Sequence, residues 1–221
     1  MRLRHAYRVA AVVVAAGLSA AACSGPSYNY ISDSADHLYF KVPPTWTTLS
    51  QTTLQAAQAQ ALGASPAGPA GGQIIWSTAI DASPQPSVAH VFSIASQPVV
   101  YASVQELNSS ARAGMSFDAM RNLLLPVTSA ARQAVQKSGG SLSGFHSIAD
   151  EVLTPPGGMR GINEVFQYNL GATPEVFDQT VLTNSETTKL YLLLVQCDEA
   201  CFASHARQIA AVVRSFTVQG S

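Results

Sequence analysis

Lys189-Leu-Tyr-Leu-Leu-Leu-Val-Gln-Cys197 is an apolar run with polar residues only at its ends, the pattern of a strand buried on both faces. Such a strand belongs in the middle of a sheet, with strands on either side and helices laid over it. Cys197-Asp-Glu-Ala-Cys201 turns the corner, and FASHARQIAAVVRSF (202–216) follows as an amphipathic helix. Phe202, Ile209, Val212, Val213 and Phe216 fall on one stripe of it at helical spacing. This last unit folds back on its own strand, and the rest of the chain has to flank it.

Working outward, Phe145 to Leu153, Gly161 to Leu170 and Val176 to Thr183 read as three strands. Thr154-Pro-Pro-Gly-Gly and Gly171-Ala-Thr-Pro are their turns, and Asn184 to Thr188 joins the third to the central strand as a hairpin. Before them, Phe117, Met120, Leu124, Val127, Ala131 and Val135 recur at steps of three and four. That spacing predicts a helix over 116–138, capped by Ser116, ended by Gly139-Gly140, and kinked or divided at Pro126. Gln73 to Ile80 and Val88 to Ala95 are read as two strands joined by Asp81 to Ser87, and Gln97 to Val104 as strand running into loop. Leu38, Phe40 and Val42 alternate with Tyr39 and Lys41, a strand that Pro43-Pro44 stops and Trp46 anchors. Residues 49–62 permit a helix, and 63–72 (GASPAGPAGG) form a low-complexity flexible loop. The order is β–α–β–β–α–β–β–β–β–α. Hairpins predominate, so the fold is α+β, a mainly antiparallel sheet flanked by helices. There is no internal repeat, and residues 37–221 are read as one domain.

The N-terminus carries an address. Arg2, Arg4 and Arg8 precede an apolar stretch from Val9 to Leu18 that is short for a membrane span. Small residues then lead into Cys23, so 1–22 are read as an export signal. The stretch Leu18-Ser-Ala-Ala-Ala-Cys23 resembles the lipobox of bacterial lipoprotein precursors, which implies lipidation of Cys23. Ordinary secretory cleavage after Ala22 is the other reading. Residues 23–36 are small and polar, a flexible tether between anchor and domain. Loss of the three leader arginines leaves about −4 of net charge against −1 for the whole chain. A charge-poor, mildly acidic surface lacks the basic clusters that nucleic acid or anionic lipid headgroups require. The expected location is the extracytoplasmic face of the cell membrane, held by lipid on Cys23. Cys197 and Cys201 remain as a pair, for which a disulfide is the default in an exported chain. Free thiols, or a metal site needing further ligands, are the alternatives.

Phe40-Lys-Val-Pro-Pro-Thr-Trp46 resembles the F-x-(V/Y)-P-x-x-W opening of the PsbP-like α/β/α sandwich group, which includes actinobacterial LpqN-type lipoproteins. The ending, Val213-Arg-Ser-Phe216-Thr-Val, is similar to the group's I/V-x-x-S-F/W closure. The resemblance covers the two ends and the element order. It implies a sandwich fold and a non-enzymatic habit, acting through partner surfaces or small-ligand contacts, and brings no catalytic motif.

The residues themselves carry no catalytic pattern. His37, His90, His146 and His205 are scattered and match no metal-ligand pattern. Neither Ser141 nor Ser143 has glycine at both −2 and +2, as a nucleophile elbow requires, and both sit on a helix-to-strand linker. Residues 155–161 are glycine-rich but read as a hairpin turn, since no helix follows to bind phosphate. Asp150, Glu151 and Glu164 are a possible carboxylate set, equally read as a solvated hairpin end. Tyr39, Trp46 and Trp76 are candidates to line an apolar pocket between sheet and helix; a plain aromatic core is the other reading. The expected protein is therefore a monomeric, cofactor-free and metal-free accessory protein of the cell envelope working through a protein partner. The alternative is a carrier of an apolar small molecule such as a lipid.

Overall fold

A computed structural model describes residues 27–62, 70–140 and 142–219. The leader, Cys23, Ser141 and most of the low-complexity loop lie outside the described residues. The element order is β1 (Asn29–Asp33), β2 (Leu38–Val42), β3 (Thr47–Thr48), α1 (Gln51–Leu62), β4 (Gln73–Asp81) and β5 (Val99–Glu106). Then come α2 (Ser109–Gly114), α3 (Phe117–Arg121), α4 (Ser129–Lys137), β6 (Ser143–Leu153), β7 (Arg160–Leu170) and β8 (Thr173–Thr183). The chain ends with β9 (Lys189–Asp198), α5 (Glu199–Ser215) and β10 (Thr217–Val218).

β9 is the fourth of seven strands in the order β3-β4-β5-β9-β8-β7-β6. Its residues from Leu190 to Cys197 are all buried. The expected central strand is in place because an apolar run without alternation has no face to give to water. Its pairings to β5 and β8 are antiparallel, as are the others in both sheets. A second sheet, β1-β2-β10, has three strands.

Alternation along β9 divides two cores. Tyr191, Leu193, Val195 and Cys197 meet Ile209 and Val212 of α5, together with Phe40, Val42 and Trp46. Leu190, Leu192 and Leu194 face the other way, toward Met120, Leu123, Phe166 and Phe177. Asp198 caps α5 by accepting from the Cys201 amide at 2.8 Å, and an aspartate at that end also complements the helix dipole. Cys197 and Cys201 are joined as a disulfide with their Cα atoms 5.9 Å apart. The bridge ties the end of β9 to the first turn of α5.

Three segments differ from the sequence reading, and a fourth takes one of the two forms it allowed. Asn29–Asp33, read as part of the tether, pairs with β2 from Asn29↔Val42 to Asp33↔Leu38. An edge strand needs only one pairing and one inward side chain, here Ile31 against the first core, so its polar composition concealed it. Val88–Phe92 is a 3₁₀ turn rather than a strand. The buried Asp81 carboxylate accepts from the amides of Ser83 and Ser87 at 2.8 and 2.9 Å, and the Ser87 hydroxyl accepts from Ala89. These local bonds bend the chain away from a ladder. The expected helix over 116–138 is divided around Pro126, as that proline allowed. Ser116 caps α3 and Thr128 caps α4. Between them the Asn122 side-chain oxygen accepts from the amides of Val127 and Thr128 at 2.8 and 2.9 Å. α2 was not foreseen; Asn108 caps it through the Ala111 amide.

Candidate functional site

The side of the large sheet away from α5 carries an apolar groove of about 380 Å³. Its floor is Tyr101 of β5, Phe177 of β8, and Leu194 and Gln196 of β9. One wall is the 3₁₀ turn, through Val91, Phe92 and Ser93; another is the Leu123–Leu125 turn after α3. Ile74 of β4 and Gln58 of α1 close an end. The Leu123–Leu125 turn projects there because Asn122 ends α3 and ties down Val127, leaving three leucines outside any helix. Leu123 is buried, while Leu124 and Leu125 are half-buried.

Two amides organise the polar atoms. The Gln58 Nε2 donates to the Tyr101 hydroxyl at 2.8 Å, and the Ser77 hydroxyl donates to Gln58 Oε1 at 3.4 Å. Burial pushes the Tyr101 phenol above its ordinary range, so it stays a neutral donor and acceptor. The Gln196 Nε2 lies 3.4 Å from the carbonyl oxygens of His90, Val91 and Ser93, holding the 3₁₀ turn over the sheet. Among the described residues the lining contains no carboxylate, histidine, lysine or arginine. Recognition there rests on shape and apolar contact, with a few fixed amide and hydroxyl groups.

The aromatic pocket expected from Tyr39, Trp46 and Trp76 is corrected: the structure does not bring these three together. Tyr39 lies between inward Leu38 and Phe40, points out, is 41% exposed and stacks on Tyr30 at 6.2 Å. Trp46 is buried in the core under α5, and Trp76 packs against that same core. The β-bulge between Ile74 and Trp76 explains the last placement. It lets Ile74 line the groove while Trp76 serves the opposite face. The residues missed were Leu123, Leu124 and Leu125. Three consecutive leucines exceed what one helical stripe can bury, and that excess was the available signal.

Asp150 and Glu164 stand directly opposite each other across β6 and β7. Arg121 donates to Asp150 at 3.0–3.2 Å and to Asp118 at 3.1 Å. Glu164 is 2% exposed and not at a solvated end, whereas Glu151 is exposed. Burial first, and the Asp150 charge second, push the Glu164 carboxyl up to about 7 against the opposing pull of Arg121. The histidines stay apart. His37 is in the β1–β2 turn, and His146 is exposed on β6. His90 Nδ1 is 2.7 Å from the Asp81 carboxylate, and His205 Nδ1 is 3.0 Å from the Cys201 carbonyl. Among the described residues no group of three or more His, Cys, Asp or Glu side chains could hold a metal. No described helix is long and apolar enough to cross a membrane.

No protein-family model and no curated protein matches the sequence. Among solved structures the chain is similar to PsbP of the cyanobacterium Synechocystis sp. PCC 6803. The TM-score is 0.51 and the identity 16%, over 89% of this chain and 97% of that one. It is less closely similar to the Ran-binding protein Mog1p of Saccharomyces cerevisiae, with a TM-score of 0.45, 11% identity, and 87% and 96% of the two chains covered. LpqN of Mycobacterium tuberculosis, described as involved in cell envelope biogenesis, gives 0.44 and 12% over 88% and 87%. The fold is therefore PsbP-like, an antiparallel sheet flanked by helices.

Proposed function

We propose that the protein is exported, held on the outer face of the cell membrane by acyl chains on Cys23, and works there as a non-enzymatic binding protein. Its groove takes an apolar small molecule of the lipid class. The observation that carries this is the groove itself: its volume of about 380 Å³ falls in the range of ligand pockets, roughly 300–1,000 Å³. Its wall, free of ionisable groups other than Tyr101 among the described residues, suits a ligand that offers neither charge nor a reacting centre. Export and anchoring rest on the leader and on the small residues before Cys23, in keeping with the resemblance to actinobacterial LpqN-type lipoproteins.

A second reading has its own observation. Phe92 lines the groove and is 48% exposed, Ile94 two residues on is 41% exposed, and Ile75 beside Ile74 is 41% exposed. An apolar segment of an envelope protein would cover those side chains as well as the groove.

Native mass spectrometry of the protein from its own host's membranes tests both. Acyl mass on Cys23 and a discrete mass released on denaturation are the expected results. Leu124→Arg, at a half-buried rim position, should abolish the released mass while circular dichroism stays unchanged. A lipidated chain without extra mass turns the reading to the protein partner; a chain without acyl mass overturns the anchor.

A further inference from the structure

The outward face of the small sheet serves neither the core nor the groove. Along β2, Leu38, Phe40 and Val42 are buried, so Tyr39 and Lys41 point the other way. The register sets Tyr30 opposite Lys41, and Ser32 and Thr217 on either side of Tyr39. Residues directly opposed in a sheet share a face. Tyr28 joins them, its ring centre 4.3 Å from the Lys41 ammonium. Tyr30 is 66% exposed and stacks on the exposed Tyr39. The face so assembled has three phenols and one ammonium, all hydrogen-bond donors. Among the described residues it has no carboxylate, since Asp33 shares the inward register of Ile31 and accepts from the Ala35 amide.

Its place on the chain decides what can meet it. Tyr28 and Tyr30 follow Cys23 by five and seven residues. Seven residues at full extension span about 25 Å, whereas a domain of this size is roughly 40 Å across. Lipid on Cys23 therefore brings this sheet to the membrane surface and keeps the far side of the domain away from it.

We propose that the outward face of β1-β2-β10 lies against the bilayer that holds the anchor, with its tyrosine rings at the level of the headgroups. This rests on the anchored reading of Cys23 and is independent of what fills the groove. Tyrosine suits that depth because its ring is apolar while its hydroxyl keeps a polar partner. Lys41 lays its stem along the same boundary and offers its ammonium to a lipid phosphate. No polybasic cluster is required. Acyl chains supply the attachment, and the face has only to set the orientation of the domain. The short tether that brings lipid to these side chains also crowds a protein partner away from them.

Cys197 and Cys201 are bonded to each other, so Cys23 is the remaining thiol of the three cysteines. The chain from Cys23 onward can be coupled through it to maleimide-bearing phosphatidylethanolamine in nanodiscs of phosphatidylcholine and phosphatidylglycerol. Amide NMR then reads line broadening by a gadolinium-chelating lipid in the same discs. Broadening at residues 28–32 and 39–41 should exceed that at 88–94 and 143–153 several-fold. Tyr30→Ser with Tyr39→Ser, at two exposed positions, should reduce it several-fold while the β9 and α5 shifts stay unchanged. Tyr30→Trp with Tyr39→Trp should preserve it. A domain that merely swings on its tether would respond to neither pair. Uniform broadening, stronger broadening at 88–94, or an unaltered serine variant would each overturn the proposal and leave the face to a protein partner. The coupling sets the anchor in place by chemistry, so these results stand apart from the native acyl mass, whose absence overturns the anchor instead.

Discussion

At the residue scale the most informative side chains are buried acids. Glu164 and Glu175 are 2% and 0% exposed, and burial pushes both carboxyls up to about 7. Asp178, 7% exposed, is raised to about 6 by burial in spite of the Asn163 amide that donates to it at 2.8 Å. In the unfolded chain these acids lose their protons near their ordinary values, while the folded chain still holds them. The folded state therefore binds more protons, and stability falls as pH rises between about 4 and about 7, then levels. Glu164→Gln keeps the shape and removes one titration. It should flatten that slope and leave the variant more stable than the parent at about pH 8 by on the order of 1–2 kcal/mol. Urea unfolding at several pH values measures this, and a parent protein that gains stability between pH 5 and 8 sinks the account. None of this was legible beforehand. Asp150 and Glu164 could be placed on neighbouring strands, but Glu164 is buried while Asp150 is exposed, and α3 packs over β7 through contacts distant in sequence, which no local pattern encodes.

At the element scale, the strand and helix that end the chain were legible because both patterns are strong and agree. Leu193 is 0% exposed at the centre of β9. Leu193→Ala should lower stability by about 2–5 kcal/mol, the range for a buried leucine lost from a packed core. Denaturant midpoints check it, and a loss under 1 kcal/mol would mean that β9 is not the centre. The disulfide next to it closes a short loop, so its removal should cost only ~1–2 kcal/mol. Cys197→Ser with Cys201→Ser should therefore melt a few degrees lower in one cooperative transition. A loss of cooperativity would show that α5 depends on the bridge for docking, against what Ile209 and Val212 imply by their burial. The segments that were misread share one cause. Val88–Phe92 has strand composition, yet Asp81 and Ser87 bind its entry amides locally. Asn29–Asp33 has the composition of a linker, yet β2 offers it a free edge. In each, hydrogen bonds outweighed composition: local side-chain acceptors in the first, a neighbouring strand in the second.

At the scale of the whole molecule, the sheet is covered unequally, and that inequality locates the groove. α5 lies along the middle of one face, its apolar stripe set into β9 and its C-terminal Phe216 edge-on to Phe40 at 6.4 Å. The opposite face is covered in pieces: α1, the 3₁₀ turn, and α3 with its leucine turn. The 3₁₀ turn has no buried residue and is held by the Gln196 amide and by the bonds to Asp81. Sequence periodicity reports whole stripes and strands, so it found the continuous cover and not the gap between short covers. Local opening free energies should follow the same division. Hydrogen exchange should find the β9 and α5 amides protected to the limit set by global unfolding. The amides of 51–58, 88–94 and 122–128 should exchange orders of magnitude sooner. An apolar ligand that fills the groove bridges those pieces to the sheet, so the extracted ligand should slow exchange in these three segments and leave α5 unchanged. If protection appears instead along α5, the ligand sits on the other face and the groove is not its site. If the three segments are as slow as β9 without any ligand, the cover is not divided, and a rigid apolar surface open to a protein partner becomes the better account.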